Sequence, residues 1–163
     1  MRTGNSIRNK ISTLPELRKR IAQWRVTGKT IAFTNGCFDI LHSGHIASLS
    51  EAASHADVLI VAVNADDSIR GLKGPNRPVN DEGSRALLLA ALAMVDAVVI
   101  FAEPTPLELI LATKPDVLVK GGDYKIEEIA GAKEVLSWGG KVIINPILQG
   151  FSTTSIINKI QKT

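Results

Sequence analysis

Cysteine and aromatic residues are scarce in this 163-residue chain, and each scarcity excludes a class of protein. The single cysteine, Cys37, excludes an internal disulfide framework, so packing must stabilise the core. Aromatic residues make up 4% of the chain and are not interleaved with basic runs, which argues against a nucleic-acid partner. The net charge of +3 is modest and favours a small anionic ligand.

Long apolar runs are also missing. No stretch is long enough to span a membrane, and no apolar signal core follows the N-terminus. We therefore expect a cytoplasmic protein with no membrane partner. Hydrophobic residues make up 45% of the chain and charged residues 21%, which is typical of one globular domain with its own core.

Short apolar runs alternate with helical patterns along the chain. The runs are continuous rather than alternately polar, which indicates strands buried on both faces of a parallel sheet. This alternation predicts a doubly wound α/β fold with a five-stranded parallel sheet. We expect the Rossmann-like strand order 3-2-1-4-5. The predicted strands are Ile31–Thr34, Val58–Val63, Ala97–Phe101, Val117–Val119 and Val142–Ile144.

Capping signals predict where several helices begin. Thr13 and Glu16 have capping-box spacing ahead of an N-terminal helix that should stop near Gly28, so residues 1–28 form a helical extension before a main domain over 29–163. Thr105 and Glu108 repeat that spacing before a second helix. The remaining helices are predicted at 44–55, about 81–92, about 126–138 and from Ser152 onward.

Two histidines three residues apart follow the first strand, where a helix is predicted to begin. A helix N-terminus offers unpaired N–H groups and a positive dipole end, both of which suit phosphate. Gly36 and Gly44 let a ligand approach the backbone closely. We therefore interpret His42 and His45 as donors to a nucleotide phosphate, and Cys37 as a packed residue rather than a nucleophile.

Three later segments carry weaker signals. The loop from Arg70 to Pro78 has three cations and is either a solvated turn or a lid over a triphosphate. Lys120 to Asp123 follows the fourth strand and should face the histidines across the switch point of the sheet. The hydroxyl run Ser152–Ser155 supplies a helix cap and offers further groups for phosphate.

With these motifs assembled, the chain resembles the cytidylyltransferase-like nucleotidyltransferases. The resemblance rests on a Gly-x-Phe-Asp turn at Gly36–Asp39, an HxGH motif at His42–His45 and the Ser-Thr-Thr of the last helix start. The likeness is strongest to bacterial heptose 1-phosphate adenylyltransferases, through strings such as Arg77–Asn80 and Val119–Tyr124. It covers nearly the whole chain.

This resemblance implies that AMP passes from ATP to heptose 1-phosphate, giving ADP-heptose and pyrophosphate, with Mg²⁺ bridging the substrate phosphates and no protein metal site. The implied catalytic residues are His42, His45 and Lys73. Nucleotide contacts are expected from both histidines and from Asn35, Gly36, Cys37, Phe38, Gly44, Arg85, Ser152, Thr153, Thr154 and Ser155. Contacts to the sugar phosphate are expected from Asp39, Asn64, Lys73, Lys120, Gly121 and Asp123.

In many members of the resembled family this activity is fused behind a sugar kinase domain. This sequence shows no kinase domain, so we expect a stand-alone form whose substrate comes from a separate heptose kinase. We also expect a homo-oligomer. Alternatives are a cytidylyltransferase for another sugar or alcohol phosphate, and a nucleotide sensor without turnover. Two departures matter. Ile147 stands where glycerol-phosphate cytidylyltransferases have arginine, and Lys159 stands where an arginine is frequent, which weakens the expected triphosphate contact.

Overall fold

A parallel five-stranded sheet forms the centre of the computed structural model, which describes residues 4–146 and 152–162. Its strands are β1 (Ile31–Gly36), β2 (Val58–Asn64), β3 (Ala97–Phe101), β4 (Val117–Gly121) and β5 (Lys141–Asn145). They lie in the order β3-β2-β1-β4-β5, so the predicted topology is confirmed. The chain reverses direction across the sheet between β1 and β4, which places their carboxyl ends side by side.

Helices cover both faces of this sheet. Successive β1 side chains alternate, with Phe33 in one hydrophobic cluster and Ala32 in the other. The Phe33 face is covered by α2 (Leu14–Val26), α6 (Leu107–Thr113) and α7 (Ala132–Ser137). The Ala32 face is covered by α3 (Ser43–Ser54) and α5 (Glu82–Ala90). The remaining helices are α1 (Gly4–Arg8), α4 (Asp66–Lys73), a 3-10 turn (Ile126–Glu128) and α8 (Thr153–Gln161).

The predicted N-terminal capping signal is present. Glu16 Oε2 accepts hydrogen bonds from the Thr13 backbone N–H at 2.8 Å and from the Thr13 hydroxyl at 2.7 Å. Leu17 and Ile21 then lie buried against the sheet, and α2 ends just before Gly28, whose φ is 71°. The N-terminal helix therefore shares its core with the strands.

Two predicted segments differ from the structure, one because it is partly helical and one because its helix is interrupted. The segment expected to be a loop from Arg70 onward is helical up to Lys73, because α4 has acidic residues in its first turn, basic residues in its last turn and a buried Ile69. The helix expected over 126–138 is broken instead. Gly131 has φ 84°, and a Cβ there would lie 2.6 Å from Ile110, so a close approach of backbone interrupts the helix.

The helix expected from Thr105 begins at Leu107, with Pro106 at its N-cap and no side-chain cap. The predicted box between Thr105 and Glu108 is therefore wrong. Proline fixes φ near the helical value, so Pro106 sets the helix start without help from a hydroxyl. Within the described ranges, no helix is long and apolar enough to cross a membrane.

Candidate active site

A strained turn at Phe38 joins β1 to the histidine segment. Phe38 has φ 48°, a left-handed value that a bulky residue adopts only where its surroundings require it. Gly36 makes the turn possible, because a Cβ at Gly36 would lie 3.0 Å from Phe38 Cε2. The Phe38 ring lies 5.3 Å from the His45 ring, centroid to centroid. The turn therefore positions an aromatic wall against the second histidine.

The two histidines form a stacked pair at the start of α3. Their ring centroids are 3.8 Å apart and their planes are inclined by 26°. His42 is the N-cap residue, and its backbone N–H donates to His45 Nδ1 at 3.4 Å. Since Nδ1 of His45 accepts, the proton of the neutral ring is on Nε2. His45 thus has one defined donor atom for a ligand.

Both imidazoles are neutral near pH 7. Burial, the neighbouring His42 and the Lys73 ammonium lower the pKa of His45 to about 4. Burial also lowers the pKa of His42. A bound polyanion would offset these effects, because negative charge near an imidazole favours its protonated form. The pair is therefore suited to donating hydrogen bonds, and to gaining charge only when phosphate is present.

A cavity of about 690 Å³ surrounds the pair, and we call it the histidine cavity. Its volume is within the range of small-molecule sites. The N-termini of α3 and α8 both contribute to its wall, and Thr153 Oγ1 of α8 donates to the Ile40 carbonyl at 3.4 Å. The predicted residues in its wall are Asn35, Gly36, Cys37, Phe38, His42, Gly44, His45, Lys73, Gly121, Ser152, Thr153 and Thr154.

A second cavity of about 390 Å³ adjoins the first, and we call it the Lys120 cavity. The two share Asn35, Gly36, Cys37 and Lys73 as a common wall. Asn64 and Lys120, both predicted to bind substrate, line the Lys120 cavity. Asp123 and Ser155 are outside the described walls of both. Ser155 instead belongs to the cap of α8, where its backbone N–H donates to Ser152 Oγ at 3.0 Å.

Asp39, which is expected to contact substrate, lies outside the described walls of both cavities. Asp39 is 1% exposed, and its carboxylate accepts from Arg77 Nε at 2.6 Å and from the backbone N–H groups of Val79 and Asn80 at 2.8 and 3.1 Å. These bonds lower the pKa of Asp39 even though burial alone would raise it. Asp39 therefore fastens the 77–80 segment to the histidine turn.

Arg85 is also fully buried and lies outside the described walls of both cavities, and its expected nucleotide contact stays a prediction. Its guanidinium donates to the Cys37 carbonyl at 2.6 Å, to the Asn80 carbonyl at 3.0 Å and to Asp66 Oδ1 at 2.7 Å. Cys37 belongs to the wall that the two cavities share. Arg85 therefore holds this wall in position from the protein interior, through its hydrogen bond to the Cys37 carbonyl.

Sequence reasoning missed several cavity residues. Asn145, at the end of β5, is 3% exposed, donates from Nδ2 to the Ser48 carbonyl at 3.1 Å and lines the histidine cavity. The available signal was its place directly after the predicted strand Val142–Ile144, since parallel strands end at the same sheet edge. Tyr124 and Glu128 of the Lys120 cavity were also missed.

The described residues do not form a metal site of their own. Across 4–146 and 152–162, no three His, Cys, Asp or Glu side chains converge to hold a metal ion. Of the two noted departures, Ile147 lies outside the described residues. Lys159 is exposed in the last turn of α8, away from the described walls of both cavities.

Comparison with known proteins decides the family. The model of the family described as cytidylyltransferase-like matches residues 33–159, which include both histidines and the start of α8. The chain belongs to the cytidylyltransferase-like family.

Relatives within the curated proteins are bifunctional. The protein is 57% identical over 150 residues to the bifunctional protein HldE of Koribacter versatilis, and 50% identical over 151 residues to that of Caulobacter vibrioides. These matches cover 92% and 93% of the chain. The chain spans 31% of the length of each relative.

Solved structures show the same fold. The lipopolysaccharide core biosynthesis protein from Thermoplasma volcanium is 32% identical, with a TM-score of 0.61 over 74% of this chain and 97% of that one. The pantoate-beta-alanine ligase from Francisella tularensis has a TM-score of 0.62 over 94% of this chain and 78% of that one. At 20% identity, this second likeness concerns the fold alone.

Proposed function

We propose that the chain is an adenylyltransferase that transfers AMP from ATP to heptose 1-phosphate, giving ADP-heptose and pyrophosphate for lipopolysaccharide core synthesis. Support comes from the cytidylyltransferase-like family, from the similarity to bifunctional HldE proteins, and from the likeness to a lipopolysaccharide core biosynthesis protein. The observation that carries the proposal is the stacked histidine pair beside a wall that two cavities share.

That arrangement suits a reaction between two phosphorylated substrates. An oxygen of the sugar phosphate attacks the α-phosphorus of ATP, the bond to the β-phosphate oxygen breaks, and pyrophosphate leaves. A phosphomonoester has its second pKa near ~6, so the nucleophile is already ionised at neutral pH and needs no general base. The protein must therefore position two anions and offset their repulsion.

Individual residues have distinct parts in this scheme. His45 Nε2–H and His42 donate to oxygens around the α-phosphorus, where charge moves during displacement. Lys73, which borders both cavities, neutralises phosphate charge between the two substrates. The α8 hydroxyls Ser152, Thr153 and Thr154 and the N–H groups of that helix start bind the outer phosphates.

Magnesium is the metal ion that we propose for this reaction. The described residues contain no group of three or more His, Cys, Asp or Glu side chains that could hold it, so the ion would be held mainly by the substrates and water. When bound, it would neutralise charge on the triphosphate, while the Ser152, Thr153 and Thr154 hydroxyls and the N–H groups at the start of α8 would donate to phosphate oxygens.

The same proposal includes the source of the acceptor, the location of the enzyme and its oligomeric state. The acceptor is itself a phosphorylated sugar, so a separate kinase acting on heptose supplies it. Both proposed substrates are water-soluble phosphate esters, which suits the cytoplasmic location that we propose. We also propose a homo-oligomer, for which gel filtration with light scattering is the test.

A substrate screen tests the reaction. Each of four nucleoside triphosphates is combined with heptose 1-phosphate, free heptose, glycerol phosphate or other sugar 1-phosphates, and pyrophosphate release is measured with Mg²⁺ present. ATP with heptose 1-phosphate should give the highest rate, and free heptose none, because it lacks the ionised nucleophile. Preference for CTP or for another phosphate would favour a cytidylyltransferase, and binding without release in every mixture would indicate a sensor.

A further inference from the structure

Several groups that line the Lys120 cavity have no part in the transfer scheme proposed above. Lys120 lies half-buried at the end of β4, Tyr124 lies in the turn that follows, and Glu128 lies in the 3-10 turn. A cation, an aromatic ring and a carboxylate therefore line one cavity of about 390 Å³. This volume is at the small end of ligand sites, which suits a sugar phosphate better than a nucleoside triphosphate.

The charges in this cavity favour a ligand with two unlike ends. Burial lowers the pKa of the Lys120 ammonium, so the charge is held away from bulk water and interacts strongly with an anion. A polyphosphate filling the cavity would be repelled by Glu128. A monophosphate ester with several hydroxyls would place its anionic end near Lys120 and its hydroxyl donors near Glu128.

Glu128 has acceptor capacity for those hydroxyls. Its Oε2 accepts a hydrogen bond of 3.3 Å from the Lys125 backbone N–H. An ionised carboxylate has about four acceptor positions on its two oxygens, so this bond leaves the others available. Hydrogen bonds to a charged acceptor are also stronger than neutral ones.

The Tyr124 ring packs against the backbone of Gly122, which fixes its position. Gly122 has φ 130°, and a Cβ there would lie 2.6 Å from Tyr124 Cε2, so the ring packs over bare backbone. The ring is 5.5 Å from Lys120 Nζ, measured to its centroid, and the residue is 45% exposed. An exposed aromatic face beside a phosphate-binding cation offers a surface on which the C–H face of a sugar ring can pack.

We propose that the Lys120 cavity is the acceptor subsite, in which Lys120 binds the phosphate while Glu128 and Tyr124 select a polyhydroxylated sugar over a shorter alcohol phosphate. The proposal rests on the proposed function, since it names the residues that choose the acceptor of that reaction. Glu128 is a specificity-determining residue here and takes no part in the transfer itself.

Paired variants of adjacent glutamates test this assignment. Glu128→Ala removes the cavity carboxylate, Glu128→Gln keeps its shape, and Glu127→Ala removes an exposed neighbour outside the described cavity wall. Rates of pyrophosphate release are measured with either heptose 1-phosphate or ATP as the varied substrate. Glu128→Ala should raise the KM for heptose 1-phosphate about 10-fold, with a smaller rise for Glu128→Gln. The KM for ATP should stay within about twofold, and Glu127→Ala should match the parent.

Selectivity provides the second measurement. The ratio of kcat/KM for heptose 1-phosphate to that for glycerol phosphate should fall about 10-fold in Glu128→Ala. Equal increases in the KM of both substrates, or an unchanged acceptor KM, would overturn the assignment while leaving the reaction intact.

Failure of the proposed function is distinguishable from failure of the subsite. If the parent releases no pyrophosphate, calorimetry of heptose 1-phosphate with parent and Glu128→Ala still tests the cavity without ATP. Binding that weakens about 10-fold in the variant would support the subsite although the reaction is wrong. Equal binding, or none to the parent, would refute the subsite.

Discussion

Replacing Arg85 with methionine should lower the free energy of unfolding by about 3–5 kcal/mol. Arg85 is fully buried, and its guanidinium makes bonds of 2.6, 2.7 and 3.0 Å to one carboxylate and two carbonyl oxygens. Removing one partner of a buried ion pair typically costs about 3–5 kcal/mol, because the remaining charge is left without compensation. Asp66, the carboxylate partner, is 21% exposed, so water reduces its share, whereas the Cys37 and Asn80 carbonyls lose a donor.

Urea denaturation with linear extrapolation measures this loss. Arg70→Met is the matched control, because Arg70 makes an exposed ion pair with Asp67 in α4. Exposed pairs contribute less than about 1 kcal/mol, so the control should differ little from the parent. If Arg85→Met also lay within about 1 kcal/mol of the parent, the claim that this network fastens the Cys37 wall would be refuted.

Further predictions concern the histidine turn. His45→Ala should retain the fold and lose about 10²- to 10³-fold in kcat, because one preorganised donor is removed. His55→Ala, outside the described cavity walls, should keep kcat within about twofold in the same pyrophosphate assay. His45 takes up its proton at about pH 4 when folded and near 6.5 when unfolded, so the unfolded chain binds more protons between these values. The free energy of unfolding should therefore fall as pH falls from 6.5 to 4, and His45→Gln should flatten this slope in urea titrations. Gly36→Ala places a Cβ 3.0 Å from the Phe38 ring and should lower kcat about 10-fold by displacing the ring that lies beside His45. A variant with full activity would show that the turn tolerates the extra atom.

The sheet could be predicted because its strands are continuous apolar runs, and burial on both faces is a strong signal of parallel pairing. The expected Rossmann-like strand order, which strand–helix alternation alone does not determine, was confirmed. The first and last residues of helices were less predictable where contacts with residues distant in sequence determine them. Gly131 interrupts a helical pattern because Ile110, distant in sequence, packs against its backbone.

The histidine cavity was predictable from local motifs, since His42, His45 and the start of α8 lie at strand or helix ends that meet at one sheet edge. The roles of Asp39 and Arg85 were not. The residue type alone does not distinguish a buried structural charge from a charge that binds ligand. Only the structure shows that Asp39 bonds to the 77–80 segment. Asn145 was missed for a related reason, because its contact with Ser48 depends on the register of β5.

The fate of a labelled phosphate tests the central claim most directly. ATP labelled with ³²P at the α- or the γ-position is incubated with heptose 1-phosphate, Mg²⁺ and the enzyme, and products are separated by chromatography. Nucleotidyl transfer predicts that the α-label appears in ADP-heptose and the γ-label in pyrophosphate. Transfer of the γ-label to the sugar, or retention of both labels in ATP while the nucleotide binds, would contradict the account.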